Sequence, residues 1–258
     1  MDIPGYELLE KIGEGGRGEV YRARQLATDR PVAVKFLNPF ANSDLPVPRG
    51  GFLREPQLLG SLSHPNVIEI YDAGEIAGRF YMVMEYVPGS NLRQRMKPGE
   101  PWKPLQAAPI LNSIARALSY IHSRDILHLD LKPENVLCGE WGTIKITDFG
   151  LALSRVDAWT LSRLGVVEGS LDYCSPEQRH GLPIDQRSDL FSLATMTYEL
   201  LAGKLPGRLF VPCTRFNPEL SEEVDRVLEH GLKRDPDERY GAVEEFRRDL
   251  MRALQFHL

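Results

Sequence analysis

Residues 128–137 (HLDLKPENVL) constrain the fold of this chain more than any other stretch. Within six residues they bring together a potential base, Asp130, a cation, Lys132, and an amide that can bind a metal, Asn135. Pro133 forbids a regular helix because it has no backbone N–H, and an apolar pair closes the run. The pattern predicts a loop held between packed elements, with its polar side chains converging on one point.

In order and spacing this stretch resembles the catalytic loop of eukaryotic-type protein kinases, usually His-Arg-Asp-Leu-x-x-x-Asn. Leu129 departs from that pattern, because arginine is usual at its position. The resemblance implies that Asp130 accepts or orients the substrate hydroxyl and that Lys132 neutralises the phosphoryl group in transfer. The sum of the motifs is similar to bacterial Ser/Thr kinases of this type.

Residues 6–40 alternate between apolar and polar side chains with turns between them, which predicts three β-strands. Gly13, Gly15 and Gly18 lie between the first two strands, where a glycine backbone can approach a phosphate and offer N–H groups to it. A hairpin with a flexible glycine turn is the structural alternative. The position between strands, rather than before a helix, disfavours a dinucleotide-binding fingerprint.

The segment Val32-Ala33-Val34-Lys35 resembles the kinase strand whose lysine holds the α- and β-phosphates of ATP. Glu55 follows twenty residues later on a predicted helix and matches the carboxylate that pairs with this lysine. Without the resemblance, Lys35 reads as a lysine that snorkels to the surface and Glu55 as a solvated helix residue. Arg17 in the glycine loop and Pro56 in the helix depart from the family pattern.

Several further positions gain a role only through the resemblance. It implies an adenine pocket with Met84 at its back and with the backbone of Glu85 and Val87 bonding the adenine edge. The aliphatic side chains that would enclose adenine are those of Ile12, Val20, Ala33 and Leu137. In the alternative interpretation the aliphatic side chains are simply core.

A short apolar strand leads into Asp148-Phe149-Gly150, which resembles the metal-binding segment of protein kinases. Asp148 lies thirteen residues after Asn135. The resemblance implies that these two side chains hold Mg²⁺, a hard cation that prefers oxygen ligands and bridges phosphates. ATP and Mg²⁺ are therefore the expected substrate and cofactor.

Residues 169–177 resemble the end of a kinase activation segment. The resemblance implies three structural contacts: Ser170 with the catalytic aspartate and lysine, Glu177 with Arg239, and Asp189 with the backbone of the catalytic loop. Together with Lys132, this ending is typical of serine/threonine rather than tyrosine specificity.

Leu129 bears on regulation. In many kinases the arginine at this position binds a phosphate on the activation segment and so orders that segment. Because leucine cannot bond phosphate, we expect this chain not to depend on that switch. Phosphorylation of Thr160 or Ser162 can still act through Arg155 or Arg163.

The order of elements and the resemblance imply an α+β chain with the bilobal protein-kinase fold, a small antiparallel β-sheet lobe with one main helix and a larger, mainly helical lobe. One domain is expected to fill residues 1–258, with an N-lobe at 1–87, a hinge at 88–91 followed by a helix start, and a C-lobe at 92–258.

Strands are expected at 67–71 and 80–87. Apolar residues at helical spacing from Ile110 to Ile121 predict a buried helix face. A buried helix is predicted at 188–201, closed by Ala202-Gly203, and amphipathic helices at 221–232 and 241–255.

Composition limits the partners and the location. A net charge of -5 argues against nucleic acid as the main partner. Three cysteines without a CxxC pair favour a reducing compartment and no cysteine metal site. With neither a signal-peptide pattern nor an apolar run of about 18 residues, we expect a cytoplasmic protein without a membrane span. Its expected partners are proteins with Ser/Thr acceptors, and a second copy of this chain is a further candidate partner.

Two other functions compete on sequence alone. A pseudokinase would bind nucleotide or act as a scaffold without transfer, but such proteins usually lack one of the residues present here: Lys35, Glu55, Asp130, Asn135 and Asp148. A small-molecule kinase of related fold is disfavoured by the complete segment 170–177, which docks peptides in the family.

Overall fold

A computed structural model of the chain describes residues 3–15, 18–37, 60, 62–149, 153–154 and 172–255, with 153–154 described for the backbone alone. The chain divides into two units, Met1–Pro88 and Gly89–Leu258. All α-helices of the described residues lie in the second unit. None of those helices has the length and hydrophobicity needed to cross a membrane.

The first unit is built on one five-stranded antiparallel sheet. Its strands are β1 (Tyr6–Gly15), β2 (Gly18–Gln25), β3 (Arg30–Leu37), β4 (Ile70–Ile76) and β5 (Arg79–Glu85), in the order β1-β2-β3-β5-β4. The three strands expected within residues 6–40 and the antiparallel sheet are confirmed, and the third strand ends at Leu37. The helix predicted around Glu55 lies outside the described residues.

The two faces of this sheet carry different side chains. Val32, Val34 and Phe36 pack on one face in a buried cluster with Ala23 and Val83. Alternation along β3 places Ala33 and Lys35 on the opposite face. The sheet therefore separates the core of this unit from the face that carries the residues expected to meet a nucleotide.

One strand prediction was displaced. The sequence suggested a strand at 67–71, whereas β4 begins at Ile70 and runs to Ile76. Ala77 and Gly78 both have positive φ, 49° and 77°, as a two-residue hairpin turn requires. This turn pairs Ile76 with Arg79 and sets the register back to Asp72, before a shift between Asp72 and Ile70. Val67 is buried, which explains the apolar signal, but it lies before the strand.

The second unit contains small sheets and most of the helical structure. Its elements are β6 (Gly89–Asn91), α1 (Leu92–Arg95), α2 (Pro104–His122), β7 (Ile126–Leu127), β8 (Val136–Gly139), β9 (Ile144–Ile146), β10 (Leu153–Ser154), α3 (Pro176–Arg179), α4 (Gln186–Ala202), α5 (Glu222–Gly231) and α6 (Val243–Ala253). Strands β6, β8 and β9 form one sheet, and β7 pairs with β10. Asn91 caps α1, so the predicted helix start is confirmed, while the hinge role of 88–91 stays a prediction.

The long helices follow the predicted hydrophobic patterns. The apolar face from Ile110 to Ile121 is buried in α2. Helix α4 is buried on nearly all sides and ends at Gly203, whose φ of 72° is the left-handed cap that glycine favours. The amphipathic helices α5 and α6 pack on each other, and α2 and α4 also pack together. These helices form the support on which the polar loops of the unit rest.

The predicted pair between Glu177 and Arg239 is present and buried. Both carboxylate oxygens of Glu177 accept from the guanidinium, at 2.7 and 2.8 Å. The remaining guanidinium N–H groups donate to three backbone carbonyls, those of Lys233, Arg187 and Arg234. Burial alone would raise the pKa of Glu177, but the bonds from Arg239 and Ser188 lower it. The pair thus fixes the start of α3 against the segment before α6.

Replacing Gly18 by alanine should destabilise the first unit. Gly18 has a φ of 143°, and an added Cβ would lie 1.9 Å from the backbone oxygen of Phe36. We expect Gly18→Ala to cost about 1–3 kcal/mol of unfolding free energy. Gly15→Ala is the matched control, because a Cβ there meets no atom within 4 Å. Urea unfolding measures both, and equal losses would contradict a packing role for Gly18.

Replacing Arg239 by methionine should cost far more than removing an exposed ion pair. The Arg239 side chain is 0% exposed, so its loss leaves a buried carboxylate unpaired, at about 3–5 kcal/mol. Arg226→Ala removes an exposed pair with Glu223 and should cost less than about 1 kcal/mol. Chemical denaturation compares the two. A loss for Arg239→Met as small as that of the control would show that the pair is not a structural tie.

Candidate active site

Residues 128–135 form a loop between β7 and β8, as predicted, and the last two residues of the stretch, 136–137, begin β8. Pro133 begins a short 3-10 turn, Pro133–Asn135, and Lys132 before it is extended. The turn closes with a bond from the N–H of Asn135 to the carbonyl of Lys132, at 2.9 Å. The proline therefore ends the extended part of the loop and brings the amide of Asn135 back toward Asp130.

Two polar side chains of the loop, those of Lys132 and Asn135, converge on the Asp130 carboxylate. Asp130 is 4% exposed. Its Oδ2 lies 3.1 Å from Nζ of Lys132 and accepts a bond of 3.1 Å from Nδ2 of Asn135. The same amide nitrogen donates to the Asp130 carbonyl at 2.8 Å. The carboxylate is thus fixed beside a cation, an arrangement suited to receiving the proton of a substrate hydroxyl.

Asp189, at the start of α4, anchors the backbone of the loop. Its Oδ2 and Oδ1 accept bonds from the N–H groups of His128 and Leu129, at 2.9 and 2.7 Å. Nε2 of His122 lies 2.7 Å from Oδ2. Complete burial would raise the pKa of Asp189, but the bonds from His122 and from the backbone lower it. The anchoring role implied by the resemblance therefore has a direct structural counterpart.

Leu129 takes the left-handed backbone conformation, with φ of 62°. This conformation costs about 1–2 kcal/mol for a residue with a side chain. The Leu129 side chain packs with Leu127 and Ile184, and its carbonyl accepts a bond of 2.9 Å from Nε2 of Gln178. Strain of this kind persists where surrounding contacts over-determine it, as they do here.

His128 joins the loop to the segment that carries Asp148. Its Nδ1 accepts from the N–H of Asp130 at 3.3 Å, and its Nε2 lies 3.2 Å from the carbonyl of Thr147. Burial lowers the pKa of His128, in keeping with a neutral ring that donates from Nε2. The Thr147 N–H donates to the Asn135 carbonyl at 2.9 Å. This bond therefore holds the segment that contains Asp148 beside Asn135.

The donor atoms suit a magnesium ion. Asn135 uses Nδ2 for Asp130, which leaves Oδ1 as the atom able to bind a cation, and Asp148 supplies a carboxylate. Among the described residues no three His, Cys, Asp or Glu side chains form a metal cluster. Two oxygen ligands completed by substrate phosphates and water match the way Mg²⁺ binds in phosphoryl-transfer sites.

Glu134, in the same loop, is tied to two helices. Its Oε1 accepts from Nε of Arg93 at 2.9 Å, and Nη1 of Arg93 bonds Glu199 at 2.9 Å. Tyr173 also bonds both Arg93 and Glu199. The outer edge of the loop is therefore held by α1 and α4, and part of the charge of Glu134 is already neutralised.

The predicted nucleotide residues of the first unit lie on the sheet. Val20 pairs with Lys35, Lys35 with Met82, and Ala33 with Met84. Directly opposite residues share a face, so these side chains line the face away from the Val34 core. Lys35 is 9% exposed.

The remaining predicted positions differ in setting. Gly13 faces Val20, and Gly15 faces Gly18. Ile12 is exposed on β1, Glu85 ends β5, Val87 is half-buried, and Leu137 lies on β8 in the second unit. Other predicted positions lie outside the described residues: Glu55, Arg17, Pro56, Ser170, Thr160 and Ser162 with their arginines Arg155 and Arg163.

Sequence reasoning missed three residues that hold the loop: His122, Arg93 and Gln178. His122 lies at the end of α2 and gives no local signal for its bond to Asp189. Ser175 and Gln178 have the Ser-x-x-Gln spacing of a capping box, which is present. That spacing announces a helix start, but it does not say that Gln178 also reaches Leu129.

Comparison with known proteins agrees with this geometry. The sequence pattern of the protein kinase domain matches residues 6–251. The chain is 35% identical over 263 residues to the serine/threonine-protein kinase PrkC of Bacillus subtilis, covering 96% of this chain and 40% of that protein. It is also 35% identical over 265 residues to the serine/threonine-protein kinase PknB of Mycobacterium leprae, covering 96% and 42%.

The chain thus spans about two fifths of the length of these relatives. The match nevertheless covers both described units, the glycine-containing sheet and the loop that carries Asp130. On these grounds the chain belongs to the protein kinase family.

Proposed function

We propose that this chain is a serine/threonine protein kinase domain that transfers the γ-phosphoryl group of ATP to serine and threonine hydroxyls of proteins. The buried Asp130 carboxylate, held 3.1 Å from both Lys132 and Asn135, is the observation that carries the proposal. Relatives named as serine/threonine-protein kinases support the same class of acceptor.

Asp130 would receive or orient the hydroxyl of the acceptor. Phosphoryl transfer requires little covalent chemistry from the protein, so positioning and charge compensation dominate. Lys132, beside Asp130, would neutralise charge on the phosphoryl group. Asn135 already holds the carboxylate, which fixes the direction from which a hydroxyl must approach.

Lys35 would bind the inner phosphates of ATP, in partnership with Glu55. Its place on β3 opposite Val20 and Met82 puts an amine among apolar side chains on one sheet face. The glycine-containing hairpin would bind the phosphates. The backbone of Glu85 and Val87 would bind the adenine edge. Aliphatic contacts would come from Ile12, Val20, Ala33 and Leu137, with Met84 behind them.

Asn135 and Asp148 would hold Mg²⁺. When bound, the ion would supply positive charge that offsets the charge of the phosphates. The backbone bond between Thr147 and Asn135 ties the two segments together, which supports a shared role for Asn135 and Asp148.

The proposed partners are proteins with Ser/Thr acceptors rather than nucleic acid, and a second copy of this chain is a further candidate. The proposed location is the cytoplasm. A pseudokinase remains the alternative function. It would bind nucleotide without transfer, and the departures that favoured it, Arg17 and Pro56, lie outside the described residues.

Incubation with γ-labelled Mg-ATP and a generic protein substrate tests the function directly. We expect label on serine and threonine of the substrate and of the protein itself. Asp130→Asn and Lys35→Met should each abolish most of the transfer, because they remove the hydroxyl acceptor and the phosphate-binding amine. Bound ATP without any transfer by the wild type would favour the pseudokinase.

We further propose that activity does not require a phosphate read by the residue before Asp130. Leu129 is 5% exposed and packed with Leu127 and Ile184, so this position makes an apolar contact and offers no cation to a phosphate.

The double variant Thr160→Ala/Ser162→Ala should therefore retain activity within about threefold of the wild type, a change below 1 kcal/mol in transition-state free energy. Initial rates of substrate phosphorylation, with phosphatase-treated wild type as the control, measure this. A large loss in the double variant would show that other cations, such as Arg155 or Arg163, read the phosphate.

A further inference from the structure

We infer that Gln178 is a positioning residue for Asp130, through the peptide bond that joins Leu129 to Asp130. This inference rests on the proposed kinase activity and adds a residue to its machinery. The carboxamide Nε2 of Gln178 donates to the Leu129 carbonyl at 2.9 Å, in a buried contact between residues 49 positions apart.

The peptide bond before Asp130 is held at both of its polar ends. Gln178 binds the carbonyl, and Nδ1 of His128 accepts from the N–H on the other side at 3.3 Å. Since the orientation of a peptide plane sets the direction of the next Cα–Cβ bond, the two contacts aim the Asp130 side chain. Leu129, left-handed at φ of 62°, would otherwise relax toward an ordinary backbone conformation.

The carboxamide of Gln178 is itself fixed. Its Oε1 accepts from the N–H and the hydroxyl of Ser175, both at 3.1 Å. The Gln178 N–H donates back to that hydroxyl at 3.3 Å. Ser175 is 0% and Gln178 6% exposed. This network specifies which end of the amide is the donor, because Oε1 in place of Nε2 would face another oxygen.

The contact links the end of the segment resembling an activation segment to the catalytic loop without any charge. Ser175 and Gln178 belong to the first turn of α3, next to Glu177, which Arg239 holds. This chain has Leu129 before Asp130, and the neutral amide of Gln178 connects α3 to the loop without a phosphate. Its effect should fall on the chemical step rather than on ATP binding.

Gln178→Met tests this, since methionine keeps the length of the side chain but cannot donate. We expect kcat for a protein substrate to fall about tenfold to hundredfold, as for a misplaced catalytic group, with KM for ATP within about twofold. The matched control is Asn217→Leu. Asn217 is also a buried carboxamide, 5% exposed, and donates to two backbone carbonyls, of Trp102 and Leu201.

Both variants are assayed below their melting temperatures, with folding checked by circular dichroism. A kcat loss confined to Gln178→Met supports the inference. Wild-type kcat in Gln178→Met, or an equal loss in Asn217→Leu, overturns it. If Gln178→Met does not fold, Gln178→Glu replaces it, because it keeps the acceptor for Ser175 and loses the donor, and the same two readings apply. A wild type that transfers no phosphate overturns the proposed function. An active wild type whose kcat is unchanged in Gln178→Met overturns only the role of Gln178.

Discussion

The buried carboxylate of Asp189 holds the loop that carries Asp130 in place. A charge taken out of water is costly unless hydrogen bonds and opposite charges surround it. Asp189 meets this condition with two consecutive backbone N–H groups and the imidazole of His122. The same bonds that stabilise the carboxylate oblige His128 and Leu129 to present their N–H groups to one point, and this fixes the entrance to the loop.

From this anchor the constraint spreads along the backbone to the groups that would act on a substrate. Leu129 is left-handed, and so is Asp148, with φ of 63°. Aspartate tolerates this conformation better than leucine does, so Leu129 needs the more extensive support. Asp189, Gln178 and the packing of Leu127 provide it. A carboxylate held this way undergoes little reorganisation when charge develops nearby, which is the property of a preorganised site.

A glycine of the first unit can be required both for binding a phosphate and for the close pairing of two strands. Gly18 is a predicted phosphate-binding position, yet its neighbour Phe36 leaves no space for a Cβ. Gly15 has no such restriction. A glycine pattern in a sequence therefore does not separate a ligand requirement from a strand-pairing requirement, whereas the close approach of two backbones does.

The sequence by itself determined the order of the elements and the loop that carries Asp130, because hydrophobic periodicity, turn residues and proline act over a few neighbouring positions. Strands β1 to β3, the buried face of α2 and the Gly203 cap follow from such local patterns. Tertiary structure decided the start of β4, the left-handed Leu129 and its bond from Gln178. Val67 is buried although it lies before β4, so its apolar signal did not mark the start of the strand. The partner of a polar side chain 49 positions away depends on which surfaces pack together, and no short stretch of sequence contains that information.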